Sequence, residues 1–150
     1  MTFNWKVIFI GGLVMYIGQF IASIATGALI HEGVLEGLYK ATSEFWRPEL
    51  RQDPPDTAAL MPRWIIVGLA MACVFAAIYD NIHTAFNGSG AVKGLKFGFV
   101  LGLISAALFA GWSGVFNLPD AIWAWWAVDT FIYFGVGGLA LGWYASRWGG

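Results

Sequence analysis

The chain has 150 residues, of which 59% are hydrophobic, 17% are aromatic and only 11% are charged. Because soluble globular domains carry about 25% charged residues, this composition excludes a soluble domain and predicts an integral membrane protein. Eight basic and nine acidic side chains give a net charge of −1, which leaves no basic surface for nucleic acid and no polybasic tail for anionic lipid. The single cysteine, Cys73, excludes a disulfide framework and a thiolate metal site.

Four apolar runs predict four transmembrane helices, at about residues 7–30, 62–83, 93–116 and 120–146. Each has the roughly 20 residues that about 30 Å of hydrocarbon requires. The first run is longer than the core of a signal peptide, so we expect it to be a retained span. No linker is long enough to separate domains. The expected fold is all-α, with residues 1–150 forming one antiparallel bundle of four transmembrane helices.

The one sizeable polar segment, at about residues 32–63, starts with apolar residues at helical spacing. This spacing predicts that the first helix extends as an amphipathic segment to about Trp46, where Arg47 precedes a proline and ends it. A polar loop at about residues 47–61 follows. Pro62 then suits the first turn of the second span.

The basic residues encode orientation weakly, because four lie on each side of the predicted membrane. The loop between the third and fourth spans has no lysine or arginine, and the longer first loop carries six acids. Both features slightly favour the outer side for these loops, since positively charged loops stay in the cytoplasm. We therefore expect a multi-pass protein with cytoplasmic termini.

Small residues recur at every fourth position along the third span, at Gly94, Gly98, Gly102, Ala106, Ala110 and Gly114. Side chains this small let two helix backbones approach closely, so van der Waals contact drives association where lipid supplies no hydrophobic force. The stripe predicts a helix-packing interface. It lies either inside the four-helix bundle or between subunits of an oligomer, and the sequence leaves both open.

Asp129 is the one acid that the predicted boundaries place well inside the hydrocarbon, roughly 13 Å beyond Asp120 at 1.5 Å per residue. Antiparallel helices would bring other polar side chains to a similar depth. The sequence therefore predicts an intramembrane polar cluster of Gln19, Ser23, Ser105, Asp129 and Thr130. Such a cluster serves either as hydrogen-bonding glue between helices or as a proton or substrate site.

Both histidines and their acidic neighbours are interfacial in this topology, namely His31, Glu32, Asp80 and His83. His31 follows the first span and His83 follows the second, so they lie near opposite membrane faces and are not expected to share one haem in a monomer. Neither histidine has neighbours at the spacing of a metal site with three or four ligands. We expect no metal and no cofactor.

The nine tryptophans fall towards the two membrane interfaces, as aromatic belts do. Six are expected at one interface, namely Trp46, Trp64, Trp112, Trp123, Trp125 and Trp126. Three are expected at the other, namely Trp5, Trp143 and Trp148. Because the three tryptophans at positions 123–126 cannot share one helix face, at least one ring should face lipid, a pigment or a neighbouring subunit.

Several short motifs make the chain resemble a broad set of uncharacterised bacterial four-helix membrane proteins. They are His31-Glu32-Gly33, Tyr39 and Trp46-Arg47-Pro48 after the first span, the run Gly94, Gly98, Gly102, and the tryptophan-rich start of the fourth span with Gly138 and Gly142. The resemblance covers most of the chain. It implies the four-helix fold and a bacterial inner membrane, but no activity and no catalytic residue.

Three functions remain open on the sequence. The first is a non-enzymatic accessory or assembly subunit that packs through its small-residue faces against itself or a larger complex. The second is a small homo-oligomeric transporter or channel that uses Asp129 as its ionisable site. The third is a haem- or pigment-associated subunit with His31 or His83 as ligand. No catalytic constellation is present, so the first hypothesis expects no enzyme.

Overall fold

A computed structural model describes residues 3–149, and within that range the chain is helical and contains no strand. Four helical stretches are long and apolar enough to cross a membrane, namely Val7–Val34, Thr57–Ala85, Gly90–Ser113 and Asp120–Trp148. The all-α class and the four helices of membrane-spanning length are therefore confirmed. This is the architecture of a multi-pass integral membrane protein.

The first stretch changes its helical type twice. A π-helical segment at Val7–Gly11 leads into helix α1, Gly12–Thr26, and a second π segment at Gly27–Val34 follows. A π-helix bonds each amide to the carbonyl five residues earlier and is rare outside single turns. The second segment ends with such a bond, since the Leu35 amide donates to the Ile30 carbonyl at 2.8 Å.

Beyond the second π segment the chain is helical in short pieces. Helix α2 covers Glu36–Ala41, and 3₁₀ turns follow at Ser43–Phe45 and Pro48–Arg51. The chain is therefore not one continuous amphipathic helix to Trp46, because Leu35 turns inward, is fully buried, and separates the π segment from α2.

Helix α3, Thr57–Ile82, begins earlier than the sequence predicted. The Asp56 side chain caps it by accepting a hydrogen bond from the Ala59 amide at 3.1 Å. Pro62 therefore lies inside α3 and not in its first turn. Proline has no N–H, so α3 lacks one backbone hydrogen bond at Pro62. The turn before Pro62 is held by the Asp56 cap.

Helices α4, Gly90–Ser113, and α5, Asp120–Trp148, form the most extensive helix pair. Their contacts pair Gly94 with Gly142 at one end and Gly102 with the Phe131 ring towards the other. Helix α1 packs between α5 and α3. The main core joins all four long helices around Met15, Ala76, Phe97, Phe134 and Leu141.

Candidate functional site

A histidine and an aspartate from opposite ends of the chain meet near one end of the fold. His31 Nε2 lies 3.2 Å from Asp129 Oδ2, although the two residues are 98 positions apart. His31 comes from the second π segment, and Asp129 lies in the first half of α5. Their side chains are partly exposed, at 34% and 22% respectively. This pair is the centre of the candidate site.

The π segment explains why His31 reaches Asp129. In an α-helix the residues three and four apart share a face, so the buried Thr26 would be followed inward by positions 29, 30 and 33. Leu29 is instead 71% exposed, and the inner face continues from Ile30 to the fully buried Leu35. His31 lies five residues after the buried Thr26, a spacing that the wider turn of a π-helix keeps on one face, so its side chain points towards α5.

Tyr39 of α2 completes a chain of side-chain hydrogen bonds. Its hydroxyl lies 2.7 Å from His31 Nδ1, and the Trp126 indole Nε1–H donates to the same hydroxyl at 2.7 Å. Because an indole nitrogen only donates, the Tyr39 oxygen is the acceptor there and its own proton is available for His31 Nδ1. A neutral His31 then carries its proton on Nε2 and donates it to Asp129.

Packing holds Tyr39 in this position. The Trp46 indole Nε1–H donates to the Tyr39 carbonyl at 3.1 Å and to Thr42 Oγ1 at 3.2 Å, and its ring meets the Tyr39 ring edge-on. Burial raises the pKa of the Tyr39 hydroxyl above its usual value; the hydrogen bond from Trp126 partly opposes this rise, and the nearby Asp129 adds to it. Tyr39 is therefore a neutral hydrogen-bonding group at physiological pH.

Only one of the two Asp129 oxygens is satisfied. Oδ2 faces His31, whereas Oδ1 is buried and has no hydrogen-bond partner among residues 3–149. A buried acceptor without a donor is unfavourable by about 1–3 kcal/mol, and more when it is charged. The carboxylate is thus open to a proton or to a ligand that brings a donor or a positive charge.

The other residues of the predicted intramembrane cluster do not hydrogen-bond to Asp129 in the described part of the chain. Ser23 donates to the Gln19 carbonyl at 2.9 Å, and Thr130 donates to the Ala127 carbonyl at 2.8 Å. Both bond to their own helices, and Ser105 is only half-buried. Sequence reasoning therefore found Asp129 but not its partners His31, Tyr39 and Trp126.

Gln19 is the most buried polar residue of that predicted cluster. It is 1% exposed, lies against Gly137 of α5, and has no partner for its Oε1 within residues 3–149. Gly137 leaves the room for this side chain, since a β carbon there would lie 2.5 Å from Gln19 Cγ.

The second histidine lies at the other end of the fold. His83 Nδ1 donates to the Asp80 carbonyl at 2.9 Å, and both residues line a cavity that also contacts Gly149. Because Gly149 and Asp129 are about 20 residues apart on the same helix, roughly 30 Å separates the two histidines. One haem cannot bridge that distance.

Neither histidine belongs to a metal cluster in the described range, which contains no group of three or more histidine, cysteine, aspartate and glutamate side chains. Both ring nitrogens of His31 already face partners. Glu32, its exposed neighbour, has no side-chain hydrogen bond or ion pair in residues 3–149.

The small-residue stripe of α4 has two different halves. Gly94 and Gly98 contact the α5 backbone and Gly102 contacts the Phe131 ring, so this half packs inside the molecule. Ala106 is half-buried, whereas Ala110 and Gly114 are exposed. The halves differ because aromatic rings lie between the helices beyond Gly102, where the Phe109 ring of α4 packs at an angle against the Trp123 and Trp126 rings of α5.

The tryptophans at the start of α5 point in different directions. Trp123 is buried, while Trp125 is exposed at 36%. Trp126 contacts Trp46 at 6.1 Å and Trp123 at 5.3 Å between ring centroids. Trp126 thus joins Tyr39 and Trp46 in the aromatic wall of the site, Trp123 packs against Trp126, and Trp125 points outward.

Comparisons of the chain with models of protein families, with curated proteins and with solved structures find no match.

Proposed function

We propose that the protein is a proton-coupled membrane transporter for cation-bearing solutes, with His31 and Asp129 as its exchange site. One observation carries the proposal: the Asp129 carboxylate lies in a helix of membrane-spanning length, pairs with His31 through one oxygen, and has a second buried oxygen without a partner. Ionisable residues are costly in membrane segments and mark substrate or proton pathways.

Coupling would follow from competition for this carboxylate. When His31 gains a second proton, the imidazolium forms a charge-assisted hydrogen bond with Asp129 and neutralises it. When His31 is neutral, it offers only a neutral donor, and the Asp129 carboxylate attracts a cation. Uptake of a proton by the pair would therefore release the bound cation.

The aromatic wall favours an organic cation as the solute. Tyr39, Trp46 and Trp126 surround the His31 end of the site, with the His31 and Tyr39 rings stacked at 6.0 Å. Aromatic faces attract ammonium groups, and indole rings do so most strongly. A metal ion would find too few ligands, because the described residues supply only the Asp129 carboxylate and an engaged imidazole.

Four helices leave little room for a pathway within one copy, so the proposal includes a homo-oligomer. The second half of the α4 stripe, in which Ala106 is half-buried and Ala110 and Gly114 are exposed, offers a close-packing surface for it. We place the protein in a bacterial inner membrane as an antiparallel four-helix bundle with cytoplasmic termini. The His31–Asp129 pair would then lie near the outer face, next to the loop between α4 and α5 that has no lysine or arginine.

Proton exchange in proteoliposomes tests this proposal. Vesicles with an acidic interior and an internal pH dye receive quaternary ammonium ions of increasing size, and the dye reports protons that leave. Wild-type protein should give cation-driven proton efflux, and Asp129→Asn should abolish it. Asp120→Asn is the matched control, because it removes the same charge from the exposed start of α5. Absence of efflux with every cation would overturn the proposal.

A second candidate is an accessory subunit that binds a larger complex through the same second half of the α4 stripe. Purification in mild detergent with mass spectrometry separates the two: stoichiometric partner proteins support this candidate, and a homo-oligomer alone supports transport. Ala106→Leu with Ala110→Leu should break either association. Val100→Leu, also exposed on α4, is the control that should leave it intact.

A further inference from the structure

A cavity opens at the end of the fold opposite the His31–Asp129 pair. It has a volume of about 440 Å³ and lies between the end of α3, the start of α4 and the end of α5. Its polar lining includes Asn4, Tyr79, Asp80, His83, Lys93 and Ser146. Its size falls within the range of small-molecule sites, roughly 300–1,000 Å³.

The cavity is built by close backbone contacts around its rim. The Tyr79 hydroxyl, on a side chain that is almost fully buried, donates to the Gly90 carbonyl at 3.4 Å and ties α3 to α4. The side-chain amide of Asn4 donates to the Gly149 carbonyl, and its backbone N–H donates to Asp80 Oδ2 at 3.1 Å. These two bonds tie both ends of the chain to α3. The cavity is therefore a formed feature of the fold.

Opposite charges line this cavity. Lys93 is half-buried, and its ammonium has no hydrogen bond or ion pair within residues 3–149. Asp80 supplies a carboxylate that the Asn4 amide holds in place. His83 donates from Nδ1 to a carbonyl, which leaves Nε2 as its second polar atom. The lining thus offers a cation for an anionic group and a carboxylate for a cationic one.

The cavity also lies at the level where lipid headgroups are found. Trp5, Trp143 and Trp148 are exposed around this end of the helices, and Arg147 stacks on the Trp143 ring. Exposed tryptophans of this kind mark the membrane–water interface.

We propose that this cavity binds an amine-bearing phosphate, the headgroup chemistry of phosphatidylethanolamine. Lys93 pairs with the phosphate, and the primary ammonium donates hydrogen bonds to Asp80. The first turn of α4 starts at the cavity, where Gly90 and Lys93 line it and Ser89 makes no side-chain cap, so the positive end of the helix dipole favours the same phosphate. A headgroup without N–H donors or without a positive charge loses the contact with Asp80.

Native mass spectrometry of delipidated protein, titrated with single lipids, tests the proposal. Phosphatidylethanolamine should bind about tenfold more tightly than phosphatidylcholine, which has no N–H donor, or phosphatidylglycerol, which has no amine. Asp80→Asn should remove most of this preference, whereas Lys93→Ala should weaken the binding of all three lipids, because each of them carries the phosphate. Lys96→Ala is the matched control, because Lys96 bonds to the Asn87 carbonyl outside the cavity.

Further arms identify the source of the ligand and guard against misfolding. Soluble phosphoethanolamine that displaces the lipid would show that the headgroup alone is recognised; failure to displace it would show that the acyl chains contribute. Ser146→Leu fills the mouth of the cavity without changing a charge and should weaken binding even if Asp80→Asn fails to fold. Equal binding of the three lipids, or equal effects of Lys93→Ala and Lys96→Ala, would overturn the proposal. Asp129→Asn should leave lipid binding unchanged, so this result is independent of transport.

Discussion

Gly94 and Gly142 face each other across the α4–α5 seam at backbone contact. A β carbon on Gly94 would lie 2.8 Å from the Gly142 α carbon, and one on Gly142 would lie 2.7 Å from the Gly94 α carbon. Neither position has room for a methyl group, because the obstacle is backbone and not a flexible side chain. Close approach of this kind is how small residues hold membrane helices together.

We expect Gly94→Ala to destabilise the protein by about 1–3 kcal/mol, the usual range for overpacking. The same substitution at Gly111 of α4 should be neutral or slightly stabilising, because nothing lies within 4 Å of a β carbon there and alanine favours a helix. Unfolding in mixed micelles with increasing SDS measures both. A loss at Gly111 as large as that at Gly94 would show that the seam is not what limits stability.

The link between His31 and Asp129 should appear as a coupling energy. His31→Gln and Asp129→Asn each remove one side of the pair, and the double variant removes both. Since the two side chains are in contact, this double-mutant cycle should give a coupling energy of about 0.5–3 kcal/mol in the free energy of unfolding. The same cycle with Asp120→Asn in place of Asp129→Asn should give a value close to zero. Additive effects in the first cycle would mean that the contact contributes nothing to stability.

Alkaline pH should reveal the burial of Tyr39. Its pKa is raised in the folded state, so the folded protein holds this proton at pH values where the unfolded chain, with a pKa of about 10, has lost it. The contribution of Tyr39 to the free energy of unfolding is therefore fully present below about pH 10, and it is lost as the pH rises through the folded pKa.

The Tyr39→Phe variant should lose part of this alkaline dependence. Thermal unfolding between about pH 8 and pH 11 should show a shallower decline than in the wild type. The variant also loses the bonds to His31 and Trp126, which lowers its stability at every pH, so the slope is the quantity to compare. If stability falls with pH as steeply in Tyr39→Phe as in the wild type, the Tyr39 hydroxyl is exposed to water and not buried.

Asp129 and the four apolar runs could be predicted from sequence because single-residue chemistry and helix length determine them. The sequence places the start of α3 too late, because Pro62 suits a first helical turn, whereas Asp56 is the residue that caps the helix. The sequence treats the α4 stripe as one surface and does not show that only its first half packs on α5. That division depends on how the Phe109 and Phe131 rings lie between the helices, which only the folded structure shows.

The partners of Asp129 could not be predicted in the same way. His31 belongs to a segment whose spacing, read as an α-helix, places it at the membrane interface without a partner. Its actual direction depends on the π segment, which hydropathy periodicity does not detect. The sequence marks Tyr39 only as part of a motif, and it places Trp46 at the end of the first helix and in an aromatic belt; the contacts of both follow from the inward turn at Leu35.

The second π segment makes the position of His31 depend on the length of the chain as well as on its composition. A π turn arises when a helix holds one residue more than the α-helical repeat accommodates. Deleting Gly27, whose β-carbon position has no neighbour within 4 Å, would let Gly27–Val34 relax to an α-helix in which His31 is the fourth residue after Thr26 and keeps the inner face. When related chains are aligned, a one-residue gap between positions 27 and 30 would therefore mark a protein that keeps the histidine on the inner face with an α-helix in place of the π segment.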